Sequence, residues 1–271
     1  MDLLCISGGE PFLHTSLLDI VQYAKDHNIM VYIYTSGIMA DNYDKSCSID
    51  MKTLSELNNI GVDKLIFDVP AVDETIYDTF MGVSGHFKYA VDSIRKSVNA
   101  GIKTELHFVP TRLNIGQIDD VMQFAVDNNI RCVSFLRLVC HGRAQYNIEN
   151  LILTNNDIAQ LKKKLVQVKH TYGDLVRIGT PLQQDPGKCV CNAGIDKLVV
   201  RCDGRVFGCE AFKYITLYKD NSSIIPDSIY KNTLTWIYHN SEYLQTERNI
   251  TTVKPVFIEV CPAQKIKTVL S

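Results

Sequence analysis

Residues 3–14 read LLCISGGEPFLH, an apolar run that passes directly into two glycines, a glutamate and a proline. Residues 3–7 are β-prone, and residues 16–27 have the apolar spacing of an amphipathic helix. A buried strand followed by a loop and a helix is the repeating unit of parallel α/β sheets. This stretch therefore predicts an α/β fold whose first loop lies at the carboxyl end of a strand, where such folds bind ligands.

The loop Gly8-Gly9-Glu10-Pro11 has the composition of a ligand site. Residues without a Cβ atom let a ligand approach the backbone, and a carboxylate accepts hydrogen bonds from an ammonium group. The proline fixes the turn and adds no competing N–H donor. We expect a site for a cationic amine here; the alternative is a tight turn with a solvated glutamate.

The same alternation of strand and helix continues to residue 169 and gives five units. The predicted strands are 3–7, 30–35, 64–69, 105–109 and 132–138, and the predicted helices are 16–27, 52–59, 88–100, 118–127 and 157–169. The strands are rich in branched and aromatic residues, which is typical of buried parallel strands. After Gly173 the alternation ends, so we expect two domains, 1–172 and 173–271.

Charge and cysteine content narrow the classes of function. The chain has 28 basic and 30 acidic side chains, so no general field attracts it to nucleic acid or to a membrane surface, and we expect neither as a partner. Its start does not resemble a signal peptide, and its apolar runs are shorter than a membrane span. The nine cysteines therefore favour a reduced, cytoplasmic protein that holds iron or zinc through thiolates.

Five of the nine cysteines lie after residue 173, on both sides of the turn sequence Asp203-Gly204. That turn predicts a β-hairpin, which returns the chain so that Cys191 and Cys209 converge on one metal centre. The candidates for the remaining ligands are Cys261, and then Cys189 or Cys202. Four thiolates hold either zinc or an iron–sulfur cluster, and structural cysteines without a metal are a further alternative.

The motif ISGGEPFLH at residues 6–14 resembles that of the radical S-adenosylmethionine (radical SAM) enzymes, and Thr35-Ser36-Gly37 is similar to their turn beside the cofactor. The cysteine spacing after residue 190 resembles their SPASM or twitch extension. The resemblance implies a partial parallel (β/α) barrel with a small cysteine-bearing carboxyl-terminal module that holds an auxiliary [4Fe–4S] cluster. It also implies contacts with S-adenosylmethionine from Gly8, Gly9, Glu10, Pro11, Thr35 and Ser36.

This chain departs from the resemblance in one motif of that family. The sequence CxxxCxxC, whose thiolates hold the cluster that binds S-adenosylmethionine, does not occur in the 271 residues. Cys5 stands inside the first strand, and we interpret it as a small buried apolar residue. The resemblance implies six βα units, and the five that we count agree with a barrel that lacks its first unit. The alternative to a missing segment is a decayed gene.

A second departure concerns the cofactor's ribose and carboxylate. Asp68 stands where the family often has a serine near the ribose, and it still accepts hydrogen bonds from hydroxyl groups. Phe80 stands where an arginine meets the carboxylate, and it does not replace a guanidinium. We expect Arg137 or Arg143 to make this contact, because a guanidinium pairs with a carboxylate through two hydrogen bonds.

The resemblance implies an enzyme that generates a 5′-deoxyadenosyl radical and abstracts hydrogen from a substrate, which we expect to be a peptide or a small molecule. A reducing partner such as flavodoxin or ferredoxin would supply the electron. The alternative is a truncated or decayed, non-catalytic homologue. Such a protein would bind only S-adenosylmethionine, or only zinc through its carboxyl-terminal cysteines.

Overall fold

The structure is a computed structural model that describes residues 1–40, 45–140, 142–184, 191–252, 261 and 263. It divides into two compact units. The first unit contains residues 1–138 and 147–184, and the second contains residues 139–146 and 185–271. Within the described ranges, no helix is both long enough and apolar enough to cross a membrane.

The helices and strands follow one another in the order that parallel sheets require. The strands are β1 (Leu3–Ile6), β2 (Met30–Thr35), β3 (Ile38–Ala40), β4 (Ser46–Ser48), β5 (Lys64–Asp68), β6 (Thr104–Phe108), β7 (Cys132–Phe135), β8 (Val176–Ile178), β9 (Val199–Val200), β10 (Val206–Phe207), β11 (Leu217–Lys219) and β12 (Ser222–Ile224). The helices are α1 (Leu17–Asp26), α2 (Met51–Ile60), α3 (Glu74–Met81), α4 (Phe87–Asn99), α5 (Ile118–Asp127), α6 (Arg143–Tyr146), α7 (Ile148–Leu151), α8 (Asn155–Tyr172), α9 (Leu234–Asn240) and α10 (Glu242–Thr252).

A six-stranded parallel sheet in the order β1-β2-β5-β6-β7-β8 forms the first unit. The order never reverses, so right-handed crossovers place the connecting helices on one face of the sheet. That face is apolar and packs into one core with the helices. Its fully buried strand residues include Val31, Ile33, Leu65, Phe67, Leu106, Phe108, Val133 and Phe135.

The five predicted strands and five predicted helices of the first unit are confirmed, with small shifts at their ends. Local capping explains several of these boundaries. At the start of α2 the Asp50 carboxylate accepts a hydrogen bond from Thr53 N at 2.9 Å, and Gly61 follows the helix with a φ of 89°. Thr154 and Asp157 form a reciprocal capping box at the start of α8.

The sequence pattern did not predict β8 or α3. β8 is three residues long and carries Arg177 in its middle, so its apolar signal is weak. Because β8 pairs with β7, the parallel sheet continues past residue 172, where the sequence suggested a domain boundary. α3 could have been predicted, because Asp73 caps its start and Gly82 follows its end with a φ of 73°, and both are signals that the sequence shows locally.

In the second unit, β9 and β10 pair antiparallel across the turn that contains Gly204, as predicted. Gly204 has a φ of 76°, and a Cβ there would lie 2.6 Å from the Tyr230 ring. β11 and β12 form a second hairpin. An apolar cluster that includes Phe207, Phe212 and Tyr243 forms the core of this unit. Its assignment as a SPASM- or twitch-like module stays a prediction.

Asn114 joins the loops that follow β5 and β6. It is 1% exposed; its Nδ2 donates to Pro70 O at 2.8 Å and to Val109 O at 3.0 Å. Its Oδ1 accepts hydrogen bonds from the backbone N of Thr111 at 2.7 Å and from the Thr111 hydroxyl at 3.0 Å. All four hydrogen-bonding positions of the amide are thus used to hold the carboxyl-terminal edge of the sheet.

Replacing Asn114 by alanine should lower the free energy of unfolding by about 3 kcal/mol, because several buried backbone groups lose their partner at once. Chemical denaturation followed by circular dichroism measures this loss. Asn156→Ala is the matched control, since Asn156 is an exposed residue in the first turn of α8. An equal loss in both variants would contradict a special role for the Asn114 amide.

Candidate functional site

Glu10 connects the loop after β1 to the end of β2. Its Oε1 accepts a hydrogen bond from the Thr35 hydroxyl at 2.7 Å and from Phe12 N at 3.3 Å. Its Oε2 accepts from the backbone N of Ser36 at 3.0 Å and from the Ser36 hydroxyl at 2.6 Å. Three of the predicted cofactor-binding residues, Glu10, Thr35 and Ser36, therefore meet at one point of the carboxyl-terminal edge.

These four protein donors match the roughly four lone-pair positions of a carboxylate. Glu10 therefore first fixes its own loop against β2, and it presents its negative charge to the space beside the loop. A ligand ammonium group there would be attracted by this charge and would share the carboxylate with the hydroxyl groups of Thr35 and Ser36.

The two glycines before Glu10 border open space. Gly8 has a φ of 132°, a conformation that L side chains rarely adopt. Among the described residues, no atom lies within 4 Å of the position that a Cβ would take on Gly8 or Gly9. Pro11 is buried at the start of the short turn that follows. The loop thus leaves exposed backbone beside a fixed carboxylate, which fits a ligand with an amino-acid group.

Asp68 lies at the end of β5, next to His107 of β6. Its Oδ1 is 3.8 Å from His107 Nδ1. The Asp68 side chain is 68% exposed, but partial desolvation at the strand end and the nearby charge of Glu10 raise the pKa of its carboxyl to about 6. Burial and the charge of Arg177 lower the pKa of His107 to about 4. At neutral pH, His107 is therefore neutral and Asp68 is ionised.

The Tyr34 ring packs against His107, with 5.3 Å between the ring centroids. Burial raises the pKa of the Tyr34 phenol, so it keeps its proton at neutral pH. Tyr34, His107 and Asp68 occupy neighbouring strands on the face of the sheet opposite the helices. They form a row of two neutral hydrogen-bonding groups, with the Asp68 carboxylate on the strand between them.

A charged layer made of Lys64, Glu105 and Arg177 lies on the same face of the sheet. Glu105 is 5% exposed and lies between Lys64 Nζ at 2.7 Å and Arg177 Nη2 at 2.9 Å. Arg177 Nε also donates to the Ser134 hydroxyl at 2.9 Å. The Glu105 carboxylate is thus paired with two cations, Lys64 and Arg177.

This charged layer was not predicted from the sequence. The signal was present, because Lys64 and Glu105 are charged residues that precede buried apolar residues in their strands. In a sheet with helices on one face, such residues must point to the other face. Their pairing required knowledge of the strand register and of β8, which supplies Arg177.

The two arginines proposed for the cofactor carboxylate belong to different units. Arg137 lies just after β7 in the first unit, whereas Arg143 begins α6 in the second unit. The Arg143 side chain lies outside the described part of the chain. Phe80 lies within α3, a helix without an arginine. The carboxylate contact therefore stays a prediction without support from geometry.

Three of the four proposed metal ligands pack against the same apolar cluster of the second unit: Cys191, Cys209 and Cys261. The backbone N of Ala211 donates to Cys209 Sγ at 3.3 Å, and burial raises the pKa of this thiol. Cys202, in contrast, is exposed. Cys189 lies outside the described residues.

Among the described residues, no three side chains of His, Cys, Asp or Glu stand close enough to hold a metal ion. The donor chemistry still suits iron or zinc, because thiols that share an apolar environment are soft ligands. The metal assignment of these cysteines stays a prediction.

Comparison with protein families matches residues 2–125 to the Radical SAM superfamily. A probable GTP 3',8-cyclase from Sulfurisphaera tokodaii is 24% identical over 216 residues, which cover 75% of this chain and 64% of the relative. The PqqA peptide cyclase from Rhizobium meliloti is 24% identical over 249 residues, which cover 90% of this chain and 62% of the relative. The chain thus spans less than two thirds of the length of both relatives.

Solved structures share the fold. The structure of SuiB from Streptococcus suis bound to S-adenosylmethionine has a TM-score of 0.73 and 14% identity, and the match covers 98% of this chain and 63% of SuiB. Native anSMEcpe with bound AdoMet has a TM-score of 0.65 and 15% identity, with 92% of this chain and 69% of that chain covered. The open parallel sheet of the first unit therefore has the fold of radical SAM partial barrels, as expected.

The raised pKa of Asp68 predicts a pH-dependent effect on stability. Because the folded state binds this proton more tightly than the unfolded chain does, wild type should lose stability as the pH rises from about 4 to about 6. Asp68→Asn removes this loss, so its melting temperature should exceed that of wild type more at pH 7.5 than at pH 4.5. Because solvent screens a side chain that is 68% exposed, the expected difference is about one degree.

Thermal unfolding followed by circular dichroism at both pH values tests this prediction. The control is Asp26→Asn, which changes an exposed carboxylate at the end of α1. A difference between Asp68→Asn and wild type that is the same at both pH values would show that Asp68 titrates normally.

Proposed function

We propose, from the match of residues 2–125 to the Radical SAM superfamily, that the chain binds S-adenosylmethionine beside the loop Gly8-Gly9-Glu10-Pro11. The observation that carries the proposal is the Glu10 carboxylate, which Thr35 and Ser36 hold next to open glycine backbone. Backbone groups and a fixed carboxylate are suited to the amino-acid end of this cofactor.

In this proposal the residues of the sheet edge orient the cofactor. The Glu10 charge attracts the methionyl ammonium group, while the backbone of Gly8 and Gly9 allows close approach. The Asp68 carboxylate accepts hydrogen bonds from ribose hydroxyl groups, and it is ionised for this role above about pH 6. S-adenosylmethionine held by Gly8, Gly9, Glu10 and Asp68 would supply radical hydrogen-abstraction chemistry if a reduced iron–sulfur cluster stood beside it.

The cluster that reduces S-adenosylmethionine does not fit the residues of this sequence, because three cysteines at CxxxCxxC spacing do not occur in it. This observation favours a second candidate function, a homologue that binds S-adenosylmethionine without cleaving it. The protein's own contribution is the same in both cases: binding, orienting and shielding the ligand.

We favour a peptide as the substrate. Two of the proteins compared support this choice by their names: the PqqA peptide cyclase, and SuiB, which has been crystallised with the precursor peptide SuiA. The row of Tyr34, neutral His107 and Asp68 offers donors and acceptors that suit backbone amide groups of a peptide. A small-molecule substrate is the alternative that the probable GTP 3',8-cyclase supports.

For the second unit we propose an auxiliary [4Fe–4S] cluster held by Cys191, Cys209, Cys261 and Cys189. The shared apolar environment of three of these thiols supports the proposal. Zinc is the alternative metal for the same ligands. A small electron-transfer protein such as flavodoxin or ferredoxin would be the reducing partner, which agrees with the cytoplasmic location that we propose.

Glu10→Ala should weaken binding of S-adenosylmethionine by about tenfold or more, because it removes the charge that pairs with the ammonium group. Equilibrium dialysis of the full chain with S-adenosylmethionine measures the dissociation constant. Glu74→Gln is the control, since Glu74 is an exposed carboxylate at the start of α3. Equal dissociation constants for wild type and Glu10→Ala would contradict the proposed site.

The same preparation separates the two candidate functions. After anaerobic reconstitution with iron and sulfide and reduction with dithionite, formation of 5′-deoxyadenosine from S-adenosylmethionine supports the enzyme. Binding without cleavage supports the non-catalytic homologue.

Cys191→Ala and Cys209→Ala should each lower the iron and sulfide content of the reconstituted chain by about half or more, because a cluster needs a full set of thiolates. The control is Cys47→Ala, which changes a half-buried cysteine of β4 in the first unit. Zinc without iron in the purified wild type would instead support the zinc alternative. Unchanged metal content in both variants would exclude these cysteines as ligands.

A further inference from the structure

Two consecutive residues of α10, Glu247 and Arg248, contact both cysteine-bearing segments of the second unit. One segment runs from Cys191 to Gly194, and the other contains Gly208 and Cys209. Neither residue stood out in the sequence, because Glu-Arg is an ordinary pair on a helix surface. The contacts show instead that this pair is packed into the unit.

The Glu247 carboxyl is fully buried against Gly208. Its Oε2 accepts a hydrogen bond from Gly208 N at 2.8 Å, while Gly194 N donates to Gly208 O at 3.1 Å. A Cβ on Gly208 would lie 2.4 Å from Glu247 Oε1 and 2.4 Å from Gly194 N, so no larger residue fits there. The carboxyl and the two glycine backbones thus form one close three-way contact.

Arg248 fixes the other side of the first segment. Its Nε donates to Gly194 O at 2.7 Å, and its Nη2 donates to Tyr238 O at 2.7 Å. The guanidinium also lies 4.5 Å from the centroid of the Tyr238 ring. The Tyr238 hydroxyl in turn donates to Ile195 O at 2.8 Å. Two adjacent carbonyl groups, those of Gly194 and Ile195, are therefore held from α9 and α10.

Burying a carboxyl is unfavourable unless its position is fixed by hydrogen bonds, and one oxygen of Glu247, Oε1, has no partner among the described residues. A glutamate at this buried position therefore indicates that its carboxyl is needed to hold the backbone around it in place. Gly194 stands three residues after Cys191, and Gly208 stands directly before Cys209. Any contact that fixes Gly194 against Gly208 also limits the separation of the two thiols.

We infer that Glu247 and Arg248 are positioning residues that set the spacing between the Cys191 and Cys209 segments. The effect of these residues on metal binding rests on the auxiliary centre proposed above. Its structural part is independent of any metal, because the contacts exist between protein groups. Two readouts therefore test it, one with metal and one without.

The metal-free readout is hydrogen exchange of the full chain, followed by mass spectrometry of peptides that contain Gly194 and Gly208. Glu247→Ala should speed exchange of these amides by about tenfold, because the Gly208 N–H loses its acceptor. Glu247→Gln keeps an acceptor oxygen of similar size and should stay within about threefold of wild type. Unchanged exchange in Glu247→Ala would overturn the inference.

The metal readout is titration of the reduced full chain with cobalt(II), followed by the thiolate-to-cobalt charge-transfer absorption. Glu247→Ala and Arg248→Gln should each weaken cobalt binding by about tenfold, whereas Glu247→Gln should restore most of it. If Glu247 and Arg248 only stabilised the unit, any other destabilising substitution would weaken cobalt binding as much. Ile237→Val controls for this, because Ile237 is fully buried in a separate cluster with Val206 and Leu244.

The outcomes are distinguishable. Faster exchange in Glu247→Ala with no cobalt or iron binding by wild type would support the positioning role and overturn the proposed auxiliary centre. Cobalt binding by wild type that is equally strong in Glu247→Ala would overturn the positioning role and leave the centre in place. Equal losses in Ile237→Val and Glu247→Ala would also overturn it. Glu242→Gln, an exposed change on the same helix, should resemble wild type in both readouts.

Discussion

The carboxylate of Glu10 is the contact on which the candidate site depends. A carboxylate at a strand end would ordinarily be free in water, but this one is bound by hydroxyl and backbone donors from a strand whose end lies 25 residues away in sequence. The contact aligns the ends of β1 and β2, and it leaves the glycine backbone uncovered. The Glu10 contact thus places a negative charge at this edge, keeps the glycine backbone exposed and makes the loop rigid.

The same sheet combines two chemically different faces. One face is apolar because the crossover helices pack on it, so its residues follow the rules of a hydrophobic core. The other face has no such cover within the described part of the first unit and can keep charged and aromatic groups. Neutral His107 and Tyr34 lie on this face together with the ion pairs of Glu105. This face therefore offers both neutral hydrogen-bonding groups and fixed charges.

Much of this arrangement could be predicted from the sequence, because its signals are local. Periodicity located the strands and helices of the first unit, and the loop around Glu10 was recognisable from its glycines. The Asp203-Gly204 turn likewise located a hairpin. In contrast, the partners of Glu105 depend on strand register, and β8 is too short to produce a pattern. The contacts of Glu247 join positions 39 residues apart, and no local rule predicts which backbone a helix side chain will meet.

The ion pairs of Glu105 also decide where this chain can be divided. Arg177 belongs to the last strand of the sheet, yet it compensates a buried charge two strands away. A recombinant fragment that ended at residue 172 would leave Glu105 with one cation instead of two and would expose the edge of β7. A fragment that extended to residue 184 would retain both. For protein engineering, the smallest fragment of the first unit must therefore include Arg177, which compensates the buried charge of Glu105, as well as the βα repeats.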